Sequence, residues 1–456
     1  MLLALLLVAG PVSPDVAHRL VGGALADGVA YARLEELTDT IGPRLSGSPG
    51  AAAAVQWALK KFQQDGLTAH LEAVKVPHWV RGEERGEILP QPGIVGHPLS
   101  LTALGNGVGG EVTGDVVEAR SLDEIAALGE KARGKVIFLN HTMGQKGGYG
   151  DWADLRTRGP AAAAKVGAAG VLLRSLATAS LRTPHTGVTL AGDGPLVPAA
   201  AIATEDAAQI HRLLQRGPVR VHFVLGCKML PDADSANVVA DVRGREKPDE
   251  IVLLGAHLDS WDLGDGANDD GAGVAMMMEA GRLIAQLRQA PRRTVRVVLY
   301  MNEENGSAGG KGYAAAHANE LGKHVAALEA DSGAARPTSI NVHAGPGGAA
   351  QLQQWLAPLD ALQLPVNDGD TGGADIGPLG LAGVPFVGVS VDGTHYFDIH
   401  HSAADTFDKI DPEALAKDAA AWAVTAYALA EMPQPLPRPT PQQETPHHTA
   451  IPAPPR

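Results

Sequence analysis

The chain has 456 residues, 45% of them hydrophobic and 19% charged, as in a folded globular protein with room for two cores. Its formal charge of −14 argues against nucleic acid or an anionic membrane surface as a partner. A single cysteine, Cys227, excludes an intrachain disulfide and a cysteine-based zinc site, and reads as a buried structural thiol.

The opening run MLLALLLVAG is apolar but too short to span a bilayer. Residues 1–20 read as a signal segment, with Ala9 and Gly10 near a possible cut, although no Lys or Arg precedes the run. A secreted or periplasmic protein with no membrane span is the expectation, and a frayed first helix the alternative. Residues 21–106 read as the first part of the main domain. Tyr31 to Leu71 looks helical, broken at Ile41-Gly42-Pro43 and resumed after Ser48-Pro49-Gly50, and Val74 to Leu101 looks loop-rich.

Residues 107–230 hold β-like pieces at Val112 to Glu118, Lys135 to Asn140, Gly170 to Arg174 and Val219 to Leu225. Helical stretches such as Pro160 to Gly167 lie between them, and no acidic cluster occurs. The segment separates the N-terminal helices from the main sheet and reads as an inserted domain. At its start, Gly105 to Gly110 matches GxGxxG, but a strand comes next where a dinucleotide site needs a helix, so the stretch reads as a flexible hinge. Sequons occur at Asn140 and Asn305, and the second falls where a glycan could not sit. Residues 231–432 alternate strand and helix, which predicts an α/β layered fold, and the Pro-rich residues 433–456 are expected not to pack.

The chemistry concentrates in this third part. Ile251 to Ala256 is a solid apolar run of buried-strand type, followed by His257, Asp259 and a Gly/Asp-rich loop with Asp269-Asp270. A helix is predicted from about Ala272 to Leu287, with Val274, Met277, Met278, Ile284 and Leu287 on one face. Val295 to Met301 ends in Glu303-Glu304; Val325 to Leu328 ends in Glu329-Ala330-Asp331; Pro385 to Val391 precedes His400-His401. Each pattern alone is ordinary surface chemistry. Four apolar strands ending in His, Asp or Glu at one end of a sheet are not, because open α/β sheets bind ligands outside the carboxyl ends of their strands. An all-nitrogen and oxygen donor set suits zinc in an open, catalytic site.

HLDSWD, GANDDGAG, NEENG, EADSG and HHSAADT, with IGPRLSGSPG, VPHWVRGEE and TPHTG upstream, resemble the motifs of the di-zinc exopeptidase family that includes aminopeptidases and glutamate carboxypeptidases. The resemblance runs from about Leu37 to Pro412, and residues 107–230 resemble a protease-associated (PA) domain. It implies a zinc-exopeptidase three-layer sandwich with a mixed, mainly parallel sheet, plus an inserted β-rich PA domain. It implies two Zn2+ per chain: His257 and Asp331 on one, Glu304 and His401 on the other, Asp269 bridging. Asp259 would orient His257 by accepting its other ring N–H, and Glu303 would be the general base. The family's His-(Ser/Thr)-x-x-Asp-Thr spacing selects His401 through Ser402, Asp405 and Thr406, leaving His400 to line the pocket. Gly372 to Ile376 resembles the family's substrate loop, which makes Asp375 a substrate-binding candidate, with a helix N-cap as the competing reading.

The activity implied is that of a zinc metallo-exopeptidase, carboxypeptidase or dipeptidase, acting on short peptides, above all dipeptides with free termini, as a homodimer. Three alternatives stand beside it. One is an aminopeptidase on longer peptides. Another is a glutaminyl cyclase-like acyltransferase with one zinc, against which the presence of both His257 and Asp331 counts. The third is an inert PA-bearing binding module, against which all five ligand candidates and Glu303 count.

Overall fold

The computed structural model describes residues 13–144, 149–192, 194–356, 363–369 and 371–441. Two eight-stranded sheets organise them. The main sheet has a parallel centre, in which Arg293–Tyr300, Lys247–His257, His324–Glu329 and Phe386–Val391 lie side by side. Antiparallel partners flank it: Thr68–Val80 and Lys228–Val242 on one side, Pro337–His343 on the other.

Side-chain alternation along these strands builds the layers. Val252, Leu254 and Ala256 join a core with Met277, Trp422 and Leu34 on one face, while Ile251 and Leu253 join Tyr313, Ile376 and Leu379 on the other. Helices Pro14–Asp27, Val29–Thr40, Pro49–Gln64, Ala272–Ala285 and Pro412–Glu431 supply the first face, and Ala308–Ala316 and Gly377–Gly380 the second. The result is a three-layer α/β sandwich. Local signals set the helix starts: Ser48 accepts from the Ala51 amide with Pro49 in the first turn, and Asp411 accepts from the Glu413 and Ala414 amides ahead of Pro412.

Several expectations change. Thr68–Val80 is a strand, not the end of a helix followed by loop; it is a half-exposed edge strand defined by its ladder with Lys228–Val242. The second sheet takes in Glu84–Ile88, His97–Pro98 and Leu101–Ala103 as well as Gly110–Ala119, Val136–Leu139, Gly170–Arg174, Ala199–Ile202 and Arg220–Leu225. A boundary at residue 107 therefore cuts through it. Nor is Gly105 to Gly110 a free hinge. A Cβ on Gly105 would lie 1.9 Å from the Trp261 ring, and Asn106 and Asn305 exchange hydrogen bonds of 3.0 and 3.1 Å. Asn305 is fully buried, so that sequon carries no glycan, as expected.

The Ala272–Ala285 helix is buried all round, not on one face, because helices cover its outer side; its Glu279 and Arg282 pair with each other. The residues expected to form a signal segment divide. Residues 1–12 lie outside the described residues, while Ala17 and Leu20 are buried in the Pro14–Asp27 helix. The Pro-rich tail divides too. Through Pro441 it packs: Leu436 is buried, the Pro437 carbonyl accepts from Gly345, and Arg438 donates to carbonyls of Gly322 and His324. Residues 442–456 lie outside the described residues. Cys227 is buried as expected, and burial pushes its thiol up to about 11. Among the described residues no helix is long and apolar enough to cross a membrane.

Candidate metal centre

Because the central strands run parallel, their carboxyl ends open on one edge of the main sheet, and the expected groups meet there. His257 ends its strand 1% exposed. Its Nδ1 lies 3.0 Å from the carbonyl oxygen of Asp259. That contact places the ring proton on Nδ1 and turns the Nε2 lone pair inward. There Nε2 meets Asp269 Oδ1 at 3.2 Å and Asp331 Oδ1 at 3.5 Å.

The other oxygen of Asp269, Oδ2, faces His400 Nε2 and His401 Nε2, each at 3.4 Å. His401 Nε2 also lies 3.0 Å from Glu304 Oε2, while Glu304 Oε1 accepts from the Trp261 amide at 3.2 Å. The His400 and His401 rings stack with centroids 3.6 Å apart, so both reach Asp269, and His401 alone is paired with Glu304. The Asp269–Asp270 peptide bond is cis. Two amides of this loop, those of Asn268 and Asp269, donate to the Asp405 carboxylate at 2.7 and 3.1 Å, and Asp270 Oδ2 accepts from the His257 amide.

Asp259 differs from its expected role. Its carboxylate is 3.9 Å from His257 Nδ1, too far for a hydrogen bond, and accepts instead from the amides of Asn302 and Glu303 at 2.7 and 3.0 Å and from Ser46 Oγ. The carbonyl orients the histidine; the carboxylate ties down the turn that carries Glu303 and Glu304. Asp375 also differs. It does not cap its own short helix, whose first flanking residue is Ile376. Its Oδ1 accepts from the Gly310 amide in the first turn of Ala308–Ala316, and Glu329 accepts from the amides of Asp375 and Ile376. Asp375 is fully buried; Oδ1 caps that helix and Oδ2 has no hydrogen-bond partner among the described residues.

Electrostatics says what the arrangement demands. A lone pair facing two carboxylates repels them unless a proton or a metal cation lies between. Burial disfavours a charged His257 ring, yet the Asp269 and Asp331 carboxylates raise its pKa well above the usual value. Burial, then Asp269, drives Glu304 well above the carboxylate range. Glu303 is pushed up to about 8, first by burial and further by Asp331 and Asp259. Asp269 Oδ2 is buried and accepts no hydrogen bond among the described residues. His257, Asp269 and Asp331, and Asp269, His400 and His401, each draw their donor atoms within 4.8 Å of one another. This is a nitrogen and oxygen set fitted to a divalent cation such as zinc. Beside it opens a cavity of about 300 Å³ lined by Glu303, Glu304, Asp331, Tyr149, Arg156 and Tyr396.

Sequence reasoning missed Asp405, Ser46 and Asn302 as holders of the two loops. Asp405 did carry a signal in the spacing after His401. It also missed that the second sheet reaches the site: the Thr186 amide donates to the His401 carbonyl at 2.9 Å, His185 bridges to Ser402, and Thr178 Oγ1 donates to Asp398 at 2.5 Å.

The profile of peptidase family M28 matches residues 237–426. The chain is 40% identical to Carboxypeptidase Q of Mus musculus over 90% of its own length and 87% of that protein. The crystal structure of a peptidase M28 precursor from Shewanella amazonensis SB2B superposes with a TM-score of 0.90 at 38% identity, covering 94% of this chain and 99% of that one. BSAP, a zinc aminopeptidase from Bacillus subtilis, shares the fold at a TM-score of 0.64 and 18% identity, over 88% of this chain and 94% of that one.

Proposed function

Since the chain belongs to peptidase family M28 and is a metallo-exopeptidase, we propose that it hydrolyses dipeptides and comparably short peptides with free termini, using two zinc ions. One observation carries this reading: Asp269 turns one oxygen toward His257 at 3.2 Å and the other toward His400 and His401 at 3.4 Å, as a carboxylate shared between two ions would. His257 and Asp331 would hold one zinc, Glu304 and His401 the other, with His400 beside them.

The chemistry expected of zinc in such a site is Lewis acidity toward the scissile carbonyl and the attacking water. Glu303 accepts a proton from that water as its oxygen bonds to the carbonyl carbon, and returns it to the amine nitrogen as the C–N bond breaks. Its pKa of about 8 reflects burial among carboxylates. With cations bound to those carboxylates, Glu303 would be a base suited to neutral pH. Asp259 keeps the Glu303 backbone fixed while this happens. The second sheet forms a PA-like unit that shapes the cleft. A leader within the first residues would direct secretion, and the working form would be a homodimer.

The test is a dipeptide panel assayed with and without chelator, alongside elemental analysis. Two zinc equivalents, loss of hydrolysis on chelation and recovery with zinc are expected. Full activity with a single equivalent would refute the shared arrangement. Hydrolysis of N-acetylated dipeptides separates a carboxypeptidase from an aminopeptidase.

A further inference from the structure

The loop between two of the metal-binding candidates is held by a side chain and not by a ladder. Residues 258–266 connect His257 to the turn that carries Asp269 and belong to no helix or strand. Carbonyls buried in such a loop need donors from elsewhere in the chain. Arg44 supplies them. It stands between the Val29–Thr40 and Pro49–Gln64 helices and is fully buried. Its Nε donates to the Leu258 carbonyl at 2.9 Å, Nη1 to those of Asp265 and Gly42 at 2.7 and 3.0 Å, and Nη2 to that of Gly266 at 2.9 Å.

Both ends of the loop thus meet on one flat group. Leu258 directly follows His257, and Gly266 stands three residues before Asp269. The loop wraps closely around the guanidinium. Gly266 has φ of +62°, and a Cβ there would lie 2.4 Å from Ser260 Cβ and 3.0 Å from Arg44 Nη2. The Arg44 amide donates to Ser260 Oγ at 3.1 Å, which fixes the stem of the side chain to the same loop. Among the described residues the guanidinium bonds carbonyl oxygens and forms no ion pair. Burial lowers its pKa, and the nearby carboxylates of Asp405, Asp259, Asp265 and Asp270 oppose that shift. The loop is thereby sorted by charge. Its carbonyls at Leu258, Asp265 and Gly266 face a buried cation, while the amides of Asn268 and Asp269 face the buried Asp405 carboxylate.

We propose that Arg44 is a positioning residue for the metal centre: by closing the 258–266 loop it holds His257 and Asp269 at the separation a shared zinc ion requires, and so sets how tightly that ion is held. This deepens the two-zinc reading and rests on it. The planar fork matters more than the charge. Carbonyls reach Arg44 from both ends of the loop and from Gly42, and a rigid fan of N–H groups meets them together, whereas a lysine ammonium offers three donors from one point. Arg44 is not among the residues lining the cavity beside the centre, so it acts through the loop and not on the substrate.

Competition with a chelator for zinc, on full-length wild type, Arg44→Lys and Arg44→Met, tests this at a temperature where circular dichroism shows each protein folded. Dipeptide hydrolysis at saturating zinc is measured alongside. Arg44→Met should weaken zinc affinity about 10- to 100-fold, as loss of a support behind metal ligands does. Arg44→Lys keeps the charge and should recover only part of that loss. At saturating zinc both variants should return to within a few-fold of the wild-type kcat, because the ligands and Glu303 are intact. A residue that merely stabilises the fold would lower Tm and leave the zinc affinity of the folded protein unchanged, and that result overturns the proposal. So does an Arg44→Lys variant that binds zinc as tightly as the wild type, which would assign the effect to charge alone, and so does a loss of kcat that excess zinc does not restore. If Arg44→Met fails to fold, Arg44→Lys decides. A wild type that holds no zinc fails the metal reading itself, whatever Arg44 does.

Discussion

The two sheets make unequal contributions to one site. The main sheet delivers His257, Glu303, Glu304 and Asp331 directly from the ends of rigid strands. Among the described residues the second sheet's unit delivers no donor atom to the metal-binding groups, yet its 178–186 segment holds the backbone on both sides of His400-His401. His401 sits at φ of 56°, a conformation rare for a residue with a side chain. Groups that ride on strands need little outside help, whereas a histidine on a loop needs its backbone pinned. Chemistry and placement are therefore divided between the sheets.

The largest effect expected from that division lies on the main sheet. Glu303→Gln should keep the metal, hold KM within a few-fold and lower kcat by about 10²–10⁴, as loss of a positioned base does. Glu304→Gln should instead lose metal and recover partly at high zinc. Kinetics paired with elemental analysis check both, and metal loss in the first variant with retention in the second would mean that the roles are exchanged.

The next effect concerns orientation within the main region. Asp405→Ala removes the acceptor for two loop amides and should weaken metal affinity about 10- to 100-fold, read by competition with a chelator. Thr178→Val removes only the link from the second sheet to Asp398 and should cost a few-fold in the same titration. A loss as large as that of Asp405→Ala would break the comparison, because the second sheet would then dominate placement.

The smallest effect lies at the opposite end of the sheet. His324 opens its strand with Tyr313 Oη 2.8 Å from Nε2, and burial pushes its pKa down to about 4. The fold prefers the neutral ring, so this contribution is complete above the ordinary value of 6.5 and is lost as pH falls through about 4. The slope it adds is at most about 1.4 kcal/mol per pH unit. Tm measured against pH should fall less steeply in His324→Gln, with activity at neutral pH unchanged.

Legibility in the sequence obeys the same division. The central strands announce themselves because they are buried on both faces and read as unbroken apolar runs. The Thr68–Val80 strand does not, because it lies at an edge with polar and apolar residues mixed; only its partner Lys228–Val242, distant in sequence, defines it. The metal-binding candidates were readable as strand-end patterns. Their supports were not: the Asp259 carbonyl acts through the backbone, and Asp375 caps a helix far from it in sequence. Arg156 sat in an unremarkable helical stretch, since nothing in one sequence tells a surface arginine from a buried one.

The clamp on the Asp269 loop has a consequence for how the protein is made. Asp405 comes 137 residues after Asn268, so at ribosomal speed the acidic loop exists for on the order of ten seconds before its clamp is synthesised. His401 arrives in the same late stretch. A nascent chain thus carries unmatched carboxylates in a disconnected half-site, and the centre is completed only when the final third closes over the sheet. Closure of the whole centre is for that reason a late event, which waits for the 401–405 stretch to join the loop that it clamps.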